Sequence, residues 1–195
     1  MLMSDKISII IPVHNGEKYI CNLVKHLQRQ TWKNKEIILV ENNSSDCSSK
    51  ICEKMQENNN VKVFFCEEKG TSYARKMVTI NSTGKYIVYM DQDDRYINNK
   101  AIEEMYRAIE EDGSQICQFS YYKNYLGIYK RRLQLNSEQG IYTRDRLFEN
   151  DIKGILGIKD SNFSVNVWNK IYDGELLRNT VKKLTIHCCL QKTFI

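Results

Sequence analysis

Two hydrophobic periods alternate along residues 1–121, and this alternation constrains the fold more than any other feature of the chain. One continuous apolar run and three mainly apolar runs are separated by segments whose apolar residues recur at helical spacing. The runs are residues 7–13, 36–40, 61–66 and 85–90. A run that is apolar throughout is typical of a strand covered on both faces. The alternation therefore predicts an α/β fold, with a mostly parallel sheet and helices on both faces.

The predicted helices lie between and after these strands, and the pattern weakens towards the end of the chain. Apolar stripes predict helices at residues 19–27, 51–55, 70–82 and 101–109, with Ser44 or Ser45 capping the second. A fifth strand is predicted at residues 115–121. Later segments predict a strand at 128–135 and short helices at 143–151 and 167–178. We therefore divide the chain into an α/β region, residues 1–121, and a second region, residues 122–195.

Composition and charge narrow the class of protein. Seven cysteines are scattered without a C-x-x-C pair, which argues against a zinc site and fits the reduced thiols of a cytosolic protein. The net charge of +5 is mild, so we expect no nucleic-acid partner. No apolar run reaches the roughly 18 residues of a membrane-spanning helix. No signal peptide is predicted either.

Polar clusters follow three of the predicted strands. His14 and Asn15 come after the first strand, residues 41–45 after the second, and residues 91–94 after the fourth. In sheets of this kind, ligands bind beyond the carboxyl ends of the strands. Because those ends meet at one edge of the sheet, the three clusters predict a single pocket.

The third cluster crowds Asp91, Asp93 and Asp94 into one turn. Carboxylates at this spacing repel one another, which indicates that a partner is missing from the sequence itself. Divalent ions such as Mg²⁺ or Mn²⁺ bind one or two protein carboxylates and complete their shell with phosphate oxygens and water. The alternative is a solvated loop in which Asp94 caps the following helix. The two other clusters at the same edge favour a metal ion with a diphosphate.

Four segments of the chain together resemble one enzyme family. SIIIPVHNGEKYI, QTWKNKEIILVENNSSD, GTSYARKM and GKYIVYMDQDD occur in the order and spacing of family 2 glycosyltransferases, over about residues 5–112. The resemblance implies the GT-A fold, which is a Rossmann-like α/β fold. It also implies transfer of a sugar from a nucleotide-diphosphate sugar to an acceptor hydroxyl, usually with inversion.

The resemblance places a nucleobase subsite at the ends of the first two strands. The family's P-x-Y-N segment begins here at Pro12 and ends at Asn15, so His14 stands where a tyrosine usually stacks on the base. Alternatively, the His14 ring bonds the loop backbone. The family's paired acids after the second strand are here Glu41 and Asn42. The second acid usually accepts the uracil imide N–H, whereas Asn42 can accept and donate. The resemblance favours a UDP-sugar as the donor, while Asn42 in place of the acid leaves the identity of the base open.

The resemblance places the diphosphate and the metal at the acidic turn. Asp93 matches the metal-ligating acid of the family's D-x-D motif, and Asp91 matches the first acid, which contacts the ribose or the metal shell. Arg75 matches an arginine that meets the donor diphosphate, the alternative being an ion pair with Glu67 or Glu68. The implied cofactor is Mn²⁺ or Mg²⁺.

The catalytic base is the part of the family pattern that the sequence does not supply. NVWNKIYDGELL resembles the segment that precedes the family's acidic pair, but no acid follows residue 179. Asp173 and Glu175 are the remaining nearby candidates. We therefore expect a truncated, frameshifted or degenerate member with an intact donor site. The alternative function is that of a catalytically silent relative that binds nucleotide.

The resemblance also implies partners and a location. A nucleotide-sugar donor and a saccharide or lipid-linked acceptor would place the protein in polysaccharide or glycolipid biosynthesis, in the cytoplasm, with peripheral contact at the inner membrane. Competing classes fit less well. Dehalogenase-type phosphatases and receiver domains need acids after the first strand, and dinucleotide oxidoreductases need a G-x-G-x-x-G there. The first strand instead ends in P-V-H-N.

Overall fold

The computed structural model describes residues 5–66, 71–111, 113–125, 129–133 and 166–191. The strands are β1 (Ile7–Val13), β2 (Lys35–Glu41), β3 (Val61–Phe65), β4 (Tyr86–Tyr89), β5 (Ile116–Gln118), β6 (Tyr121–Tyr125), β7 (Tyr129–Leu133) and β8 (Lys170–Asp173). The helices are α1 (Ile20–Gln28), α2 (Ser48–Met55), α3 (Thr71–Asn81), α4 (Ala101–Glu111) and α5 (Gly174–Gln191).

A six-stranded sheet forms the centre of the fold, in the order β3-β2-β1-β4-β8-β5. Strands β1 to β4 are mutually parallel, whereas β8 runs antiparallel to both of its neighbours. Strands β6 and β7 form a separate antiparallel pair. The predicted α/β class and mostly parallel sheet are confirmed.

Helices cover both faces of the sheet, which explains why its central strands are mainly apolar. On one face, Ile9 and Ile37 pack with apolar residues of α1, α2 and α4. On the other face, Ile10 and Ile38 pack with Val78 of α3 and Leu177 of α5. Every residue of β1 and β2 is buried. Successive residues of these strands therefore enter alternate layers of the core, as a strand period of two requires.

Three local predictions were wrong. The helix predicted at residues 167–178 begins only at Gly174, because residues 170–173 form β8 and pair with β4 and β5. Neither Ser44 nor Ser45 caps α2, which starts at Ser48, and the N–H of Ser48 donates to the Oδ1 of Asp46 instead. The alternative in which Asp94 caps the next helix is also wrong, since α4 starts at Ala101.

Other predictions of the second region have mixed outcomes. The strand predicted at 128–135 is present as β7, and the helix predicted at 143–151 lies outside the described residues. The division at residue 121 stays a prediction, although β8 from beyond it pairs within the main sheet. Among the described residues, no helix has the length and apolar character needed to cross a membrane.

Candidate functional site

The carboxyl ends of β1, β2 and β4 meet at one edge of the sheet and enclose a cleft of about 220 Å³. The cleft is lined by Pro12, Val13, His14, Asn42, Asp91, Gln92 and Asp93. Five of these residues belong to the nucleotide-sugar site predicted from the sequence: Pro12, His14, Asn42, Asp91 and Asp93. The parallel topology thus brings together side chains that are up to 81 positions apart in the chain.

Two other predicted residues shape the loops around the cleft. The buried Glu41 accepts a hydrogen bond from the backbone N–H of Ser44 through its Oε1, at 2.7 Å. Asn15 has a φ of 50° and accepts the backbone N–H of Ser45 at its Oδ1, at 2.9 Å. Asparagine tolerates this left-handed conformation better than most residues. Both side chains therefore fix the turn that follows β2.

His14 is tied to the loop backbone and keeps its side chain exposed. Its Nδ1 lies 2.8 Å from the carbonyl oxygen of Asn42. This contact matches the alternative in which the imidazole bonds the loop, and it holds the ring in one orientation at the edge of the cleft. Base stacking by His14 stays a prediction.

Asn42 presents an unsatisfied acceptor. The residue is 6% exposed, and its Oδ1 is buried without a hydrogen-bond partner within the part of the chain that the structure describes. Its backbone, by contrast, is fully engaged, with the N–H donating to Val13 at 2.9 Å. An unpartnered buried amide oxygen is costly, so its presence on a cleft wall indicates a site for a ligand donor.

Arg75 lies against the acidic turn. Its Nη2 donates to Oδ1 of Asp91 at 2.5 Å, and its guanidinium lies 5.9 Å from the centre of the Tyr89 ring. The predicted alternative partners, Glu67 and Glu68, lie outside the described residues. The Nε of Arg75 is buried without a partner among the described residues, which leaves one cationic donor available beside Asp91.

The turn at residues 91–94 is closed by a hydrogen bond from the N–H of Asp94 to the carbonyl of Asp91, at 3.1 Å. The surrounding protein atoms, together with the charges of Asp93 and Asp91, raise the pKa of Asp94 to about 6. Only one of the three carboxylates, that of Asp91, is paired with a cation in the described part of the chain. The turn therefore carries an excess of negative charge next to the cleft.

The carboxylates of the acidic turn fit a divalent metal ion whose remaining ligands are phosphate oxygens and water. No group of three or more His, Cys, Asp or Glu side chains in the described ranges is arranged to hold a metal by itself. Mg²⁺ and Mn²⁺ sites of the phosphate-bridging kind need only one or two protein carboxylates. Asp93, exposed on the cleft wall, and Asp91 beside it meet that requirement.

The two candidates for the catalytic base lie away from this cleft. Asp173 pairs with Tyr86 at the start of β4, which is the edge of the sheet opposite Asp91. Its Oδ1 accepts the N–H of Leu176 at 2.8 Å and so caps α5. Glu175 is exposed in the first turn of the same helix. Neither carboxylate is therefore positioned to act on a ligand in the cleft.

Sequence reasoning missed Gln92, which lines the cleft between the two aspartates and bonds the backbone of His14. It also missed Asp46, whose Oδ2 accepts the N–H of Glu17 at 3.1 Å and links the loops after β1 and β2. The sequence offered a weak signal for Gln92 in its place inside D-x-D. It offered none for Asp46, because a hydrogen bond between two loops leaves no periodic pattern.

Comparison with known protein families gives one match that covers most of the chain. The model described as glycosyl transferase family 2 matches residues 8–168. The glycosyltransferase GlyG of Streptococcus pneumoniae serotype 4 (strain ATCC BAA-334 / TIGR4) is 37% identical over 122 residues, which cover 62% of this chain and 40% of GlyG.

A second relative is the poly(ribitol-phosphate) β-N-acetylglucosaminyltransferase TarS of Staphylococcus aureus (strain Mu50 / ATCC 700699), 30% identical over 115 residues, which cover 57% of this chain and 20% of TarS. The crystal structure of S. aureus TarS residues 1–349 with UDP superposes with a TM-score of 0.67 and 24% identity, covering 90% of this chain and 48% of that one. This likeness shows a shared fold.

A more distant solved structure is the mannosyltransferase PcManGT from Pyrobaculum calidifontis, in complex with GDP-Man and Mn²⁺. It superposes with a TM-score of 0.55 and 15% identity, covering 59% of this chain and 35% of that one. This chain spans less than half the length of each of the three relatives.

Proposed function

This chain belongs to glycosyl transferase family 2, and from that premise we propose that it takes part in transferring a sugar from a nucleotide-diphosphate sugar to an acceptor hydroxyl. The donor nucleotide binds in the cleft at the carboxyl ends of β1, β2 and β4. The transfer inverts the anomeric centre and depends on a divalent metal ion. Its products belong to polysaccharide or glycolipid biosynthesis, and the acceptor is a saccharide or a lipid-linked saccharide.

The observation that carries this proposal is the arrangement of unsatisfied groups along the cleft. The Oδ1 of Asn42 needs a donor, and the imide N–H of uracil is such a donor. The acidic turn, which includes Asp93, lines the same cleft and needs a cation. A uridine diphosphate bound with a divalent ion supplies both at once. The solved complex of TarS with UDP supports uridine as the first nucleotide to test.

Each cleft residue then has a defined task. Asn42 accepts from the base, and His14 closes over the base plane while its Nδ1 stays bonded to the loop. Arg75 keeps the carboxylate of Asp91 oriented, and its Nε, which has no partner among the described residues, is a donor for the phosphate side. Asp93 and Asp91 would hold Mn²⁺ or Mg²⁺, which stabilises the charge that develops on the departing nucleotide diphosphate. The transfer also needs a carboxylate that takes the proton of the acceptor hydroxyl, and neither Asp173 nor Glu175 is positioned for this task.

Calorimetric titration tests the donor site. UDP, dTDP, GDP and CMP are each titrated into the protein with and without Mn²⁺, and we expect UDP to bind with the largest gain from the metal. The substitution Asp93→Ala should remove that gain, whereas Glu53→Ala, which removes an exposed carboxylate on α2, should leave it unchanged. If no diphosphate nucleotide gains affinity from Mn²⁺, the proposed donor site is wrong.

Turnover is tested separately from binding. The chain is incubated with radiolabelled UDP-sugars, Mn²⁺ and a panel of saccharide and lipid-linked acceptors. NMR of the product then reports whether the anomeric configuration has inverted. Nucleotide binding without transfer to any acceptor would favour the catalytically silent relative over the enzyme. Retention of configuration would contradict the proposed inverting transfer.

A further inference from the structure

The side chain of Gln92 bonds both backbone polar groups of His14. Its Oε1 accepts the N–H of His14 at 3.0 Å, and its Nε2 donates to the His14 carbonyl at 2.9 Å. Gln92 is the middle residue of the acidic turn, with Asp91 before it and Asp93 after it. One amide therefore connects the loop after β1, on the nucleobase side, with the turn proposed to hold the metal.

This contact continues the sheet beyond its last strand residues. The ladder between β1 and β4 ends near the hydrogen bond from the N–H of Met90 to the carbonyl of Ile10, at 3.0 Å. Past that point the backbone of β4 turns away into residues 91–94. The side-chain amide of Gln92 has one donor and one acceptor suited to a peptide group. It bonds the N–H and the carbonyl of His14, as the backbone of β4 would if the strand continued.

Gly16 makes room for this contact. A Cβ atom added at Gly16 would lie 2.3 Å from the Oε1 of Gln92, which is closer than any non-bonded contact permits. Gly16 is itself buried, and its N–H donates to the Oγ of Ser48 at 2.8 Å. The missing Cβ at Gly16 therefore leaves the space in which the amide of Gln92 reaches His14.

We propose that Gln92 is a positioning residue that makes the nucleobase loop and the metal-binding turn one rigid unit, so that losing its amide weakens binding of the base as well as of the diphosphate. This inference rests on the proposed function. It differs from a purely local role for Gln92, in which the side chain would only stabilise the acidic turn and would affect the metal and the phosphates alone.

The test uses the full chain and the near-isosteric substitution Gln92→Met, which keeps the bulk of the side chain but loses both hydrogen bonds. Uridine, which carries no phosphate, is titrated by NMR, and UDP with Mn²⁺ by calorimetry. Because two hydrogen bonds that order the loop are lost, we expect both affinities to fall by roughly 10-fold. Asp93→Asn is the contrasting variant, and it should lower the affinity for UDP with Mn²⁺ but not that for uridine.

Gly16→Ala tests the same contact from the other loop. It should weaken uridine binding in the wild-type background, because its Cβ displaces the amide of Gln92. In a Gln92→Ala background it should have little further effect, since the obstructing amide is gone. Equal losses in the two backgrounds would show that Gly16 acts without Gln92 and would overturn the inference.

A measurement without any ligand separates this inference from the proposed function. Amide hydrogen exchange at His14 should be faster in Gln92→Met than in the wild type, because its N–H loses its acceptor. Unchanged exchange, or unchanged uridine affinity in Gln92→Met, would overturn the positioning role. A wild-type protein that binds neither uridine nor UDP, but in which His14 exchange does respond to Gln92, would instead refute the proposed nucleotide site.

Discussion

Asn42 stands where the resemblance to family 2 glycosyltransferases predicts an acid, and its amide changes what the proposed base subsite can recognise. A carboxylate only accepts hydrogen bonds, whereas an amide that rotates by half a turn can accept from uracil N3–H or donate to cytosine N3. The Oδ1 is buried and unpartnered among the described residues, so no hydrogen-bond donor from that part of the chain holds this oxygen in place. The chain should therefore discriminate poorly between uridine and cytidine nucleotides.

The substitution Asn42→Asp tests this. A carboxylate would face the unprotonated N3 of cytosine without a donor, and an unpaired buried acceptor costs about 1–3 kcal/mol. We expect the ratio of CDP to UDP dissociation constants, both measured by calorimetry with Mn²⁺, to rise by roughly 10-fold. A ratio that stays the same in Asn42→Asp would mean that this side chain does not read the base.

Glu36 carries the clearest pH dependence of stability outside the cleft. It is buried at the start of β2, which by itself would raise its pKa, but bonds from Lys62, Ser8 and Thr83 outweigh burial and lower the pKa to about 2. A carboxyl group whose pKa is lower in the folded state stabilises the fold above its unfolded pKa. That stabilisation is lost as the pH falls from about 4.5 towards 2.

We expect Glu36→Gln to lower the free energy of unfolding by about 3 kcal/mol at pH 7, because the folded-state pKa of about 2 lies well below the ordinary value of 4.5. The difference between the two proteins should shrink to about 40% of this by pH 3, because the wild-type carboxylate then takes up a proton on unfolding. Urea unfolding at both pH values measures this. A difference that is independent of pH would assign the loss to packing rather than to charge.

At the scale of secondary structure, the outcome of the sequence predictions depended on burial. Strands β1 and β2 are predicted almost to the residue, since both of their faces are covered and their central residues are apolar. Strand β8 was mistaken for a helix. It has only four residues, of which Ile171 and Tyr172 enter opposite faces of the core. So short a segment has no period of its own, and pairing with β4 and β5 decides its conformation.

The connection into β4 and the start of α5 meet at two glycines. A Cβ at Gly84 would lie 2.6 Å from the backbone N of Ser8 and from the carbonyl oxygen of Tyr86, and neither backbone can move without breaking the sheet. Gly174 lies next to this junction, with its N–H donating to the Lys85 carbonyl at 2.7 Å. The approach of these backbones requires glycine.

Gly84→Ala should therefore destabilise the protein by about 1–3 kcal/mol, the usual range for overpacking. Gly113→Ala is the comparison, because Gly113 has a φ of +60° but open space where a Cβ would lie. Its substitution should therefore cost only backbone strain, about 1 kcal/mol of the free energy of unfolding. Denaturant midpoints rank the two variants. If Gly113→Ala proves the more destabilising, the close backbone contacts at Gly84 do not explain why a glycine stands there.

The loops after β1 and β2 are joined by a reciprocal pair of acids. Asp46 accepts the N–H of Glu17 at 3.1 Å, and Glu17 accepts the N–H of Cys47 at 3.0 Å. These bonds lie on the base side of the cleft and do not touch the acidic turn. Asp46→Ala should therefore lower the affinity for UDP several-fold, while the relative gain in affinity from Mn²⁺ persists. Calorimetry with and without the metal measures both. Loss of the metal gain in Asp46→Ala would contradict this separation.

For the whole molecule, the place of the site was predictable but its internal contacts were not. Three polar clusters at strand ends sufficed to assign one pocket, because parallel topology brings those ends together. The ion pair between Arg75 and Asp91 and the bonds from Gln92 to His14 join residues whose sequence separation carries no pattern. Such contacts depend on side-chain orientation, which follows only from the packed fold.

Ligand binding at this edge should stabilise the entire sheet. Strands β1, β2 and β4 all end in the cleft, and β4 also pairs with β8, so a nucleotide in the cleft supports the sheet on both sides of its centre. A ligand present at 100 times its dissociation constant adds about 2.7 kcal/mol to the stability of a folded protein. For a domain of this size, that corresponds to a rise in Tm of roughly 5–10 °C.

We expect UDP with Mn²⁺ to produce this shift in a thermal unfolding experiment, and UDP with EDTA to produce less, because the diphosphate then faces the uncompensated charge of the acidic turn. UMP with Mn²⁺ should also fall short, since it lacks the second phosphate that completes the metal shell. In Asp93→Asn the difference between Mn²⁺ and EDTA should vanish while a smaller, metal-independent shift from the base remains. Equal shifts for wild type and Asp93→Asn would mean that the metal acts elsewhere than at residues 91–93.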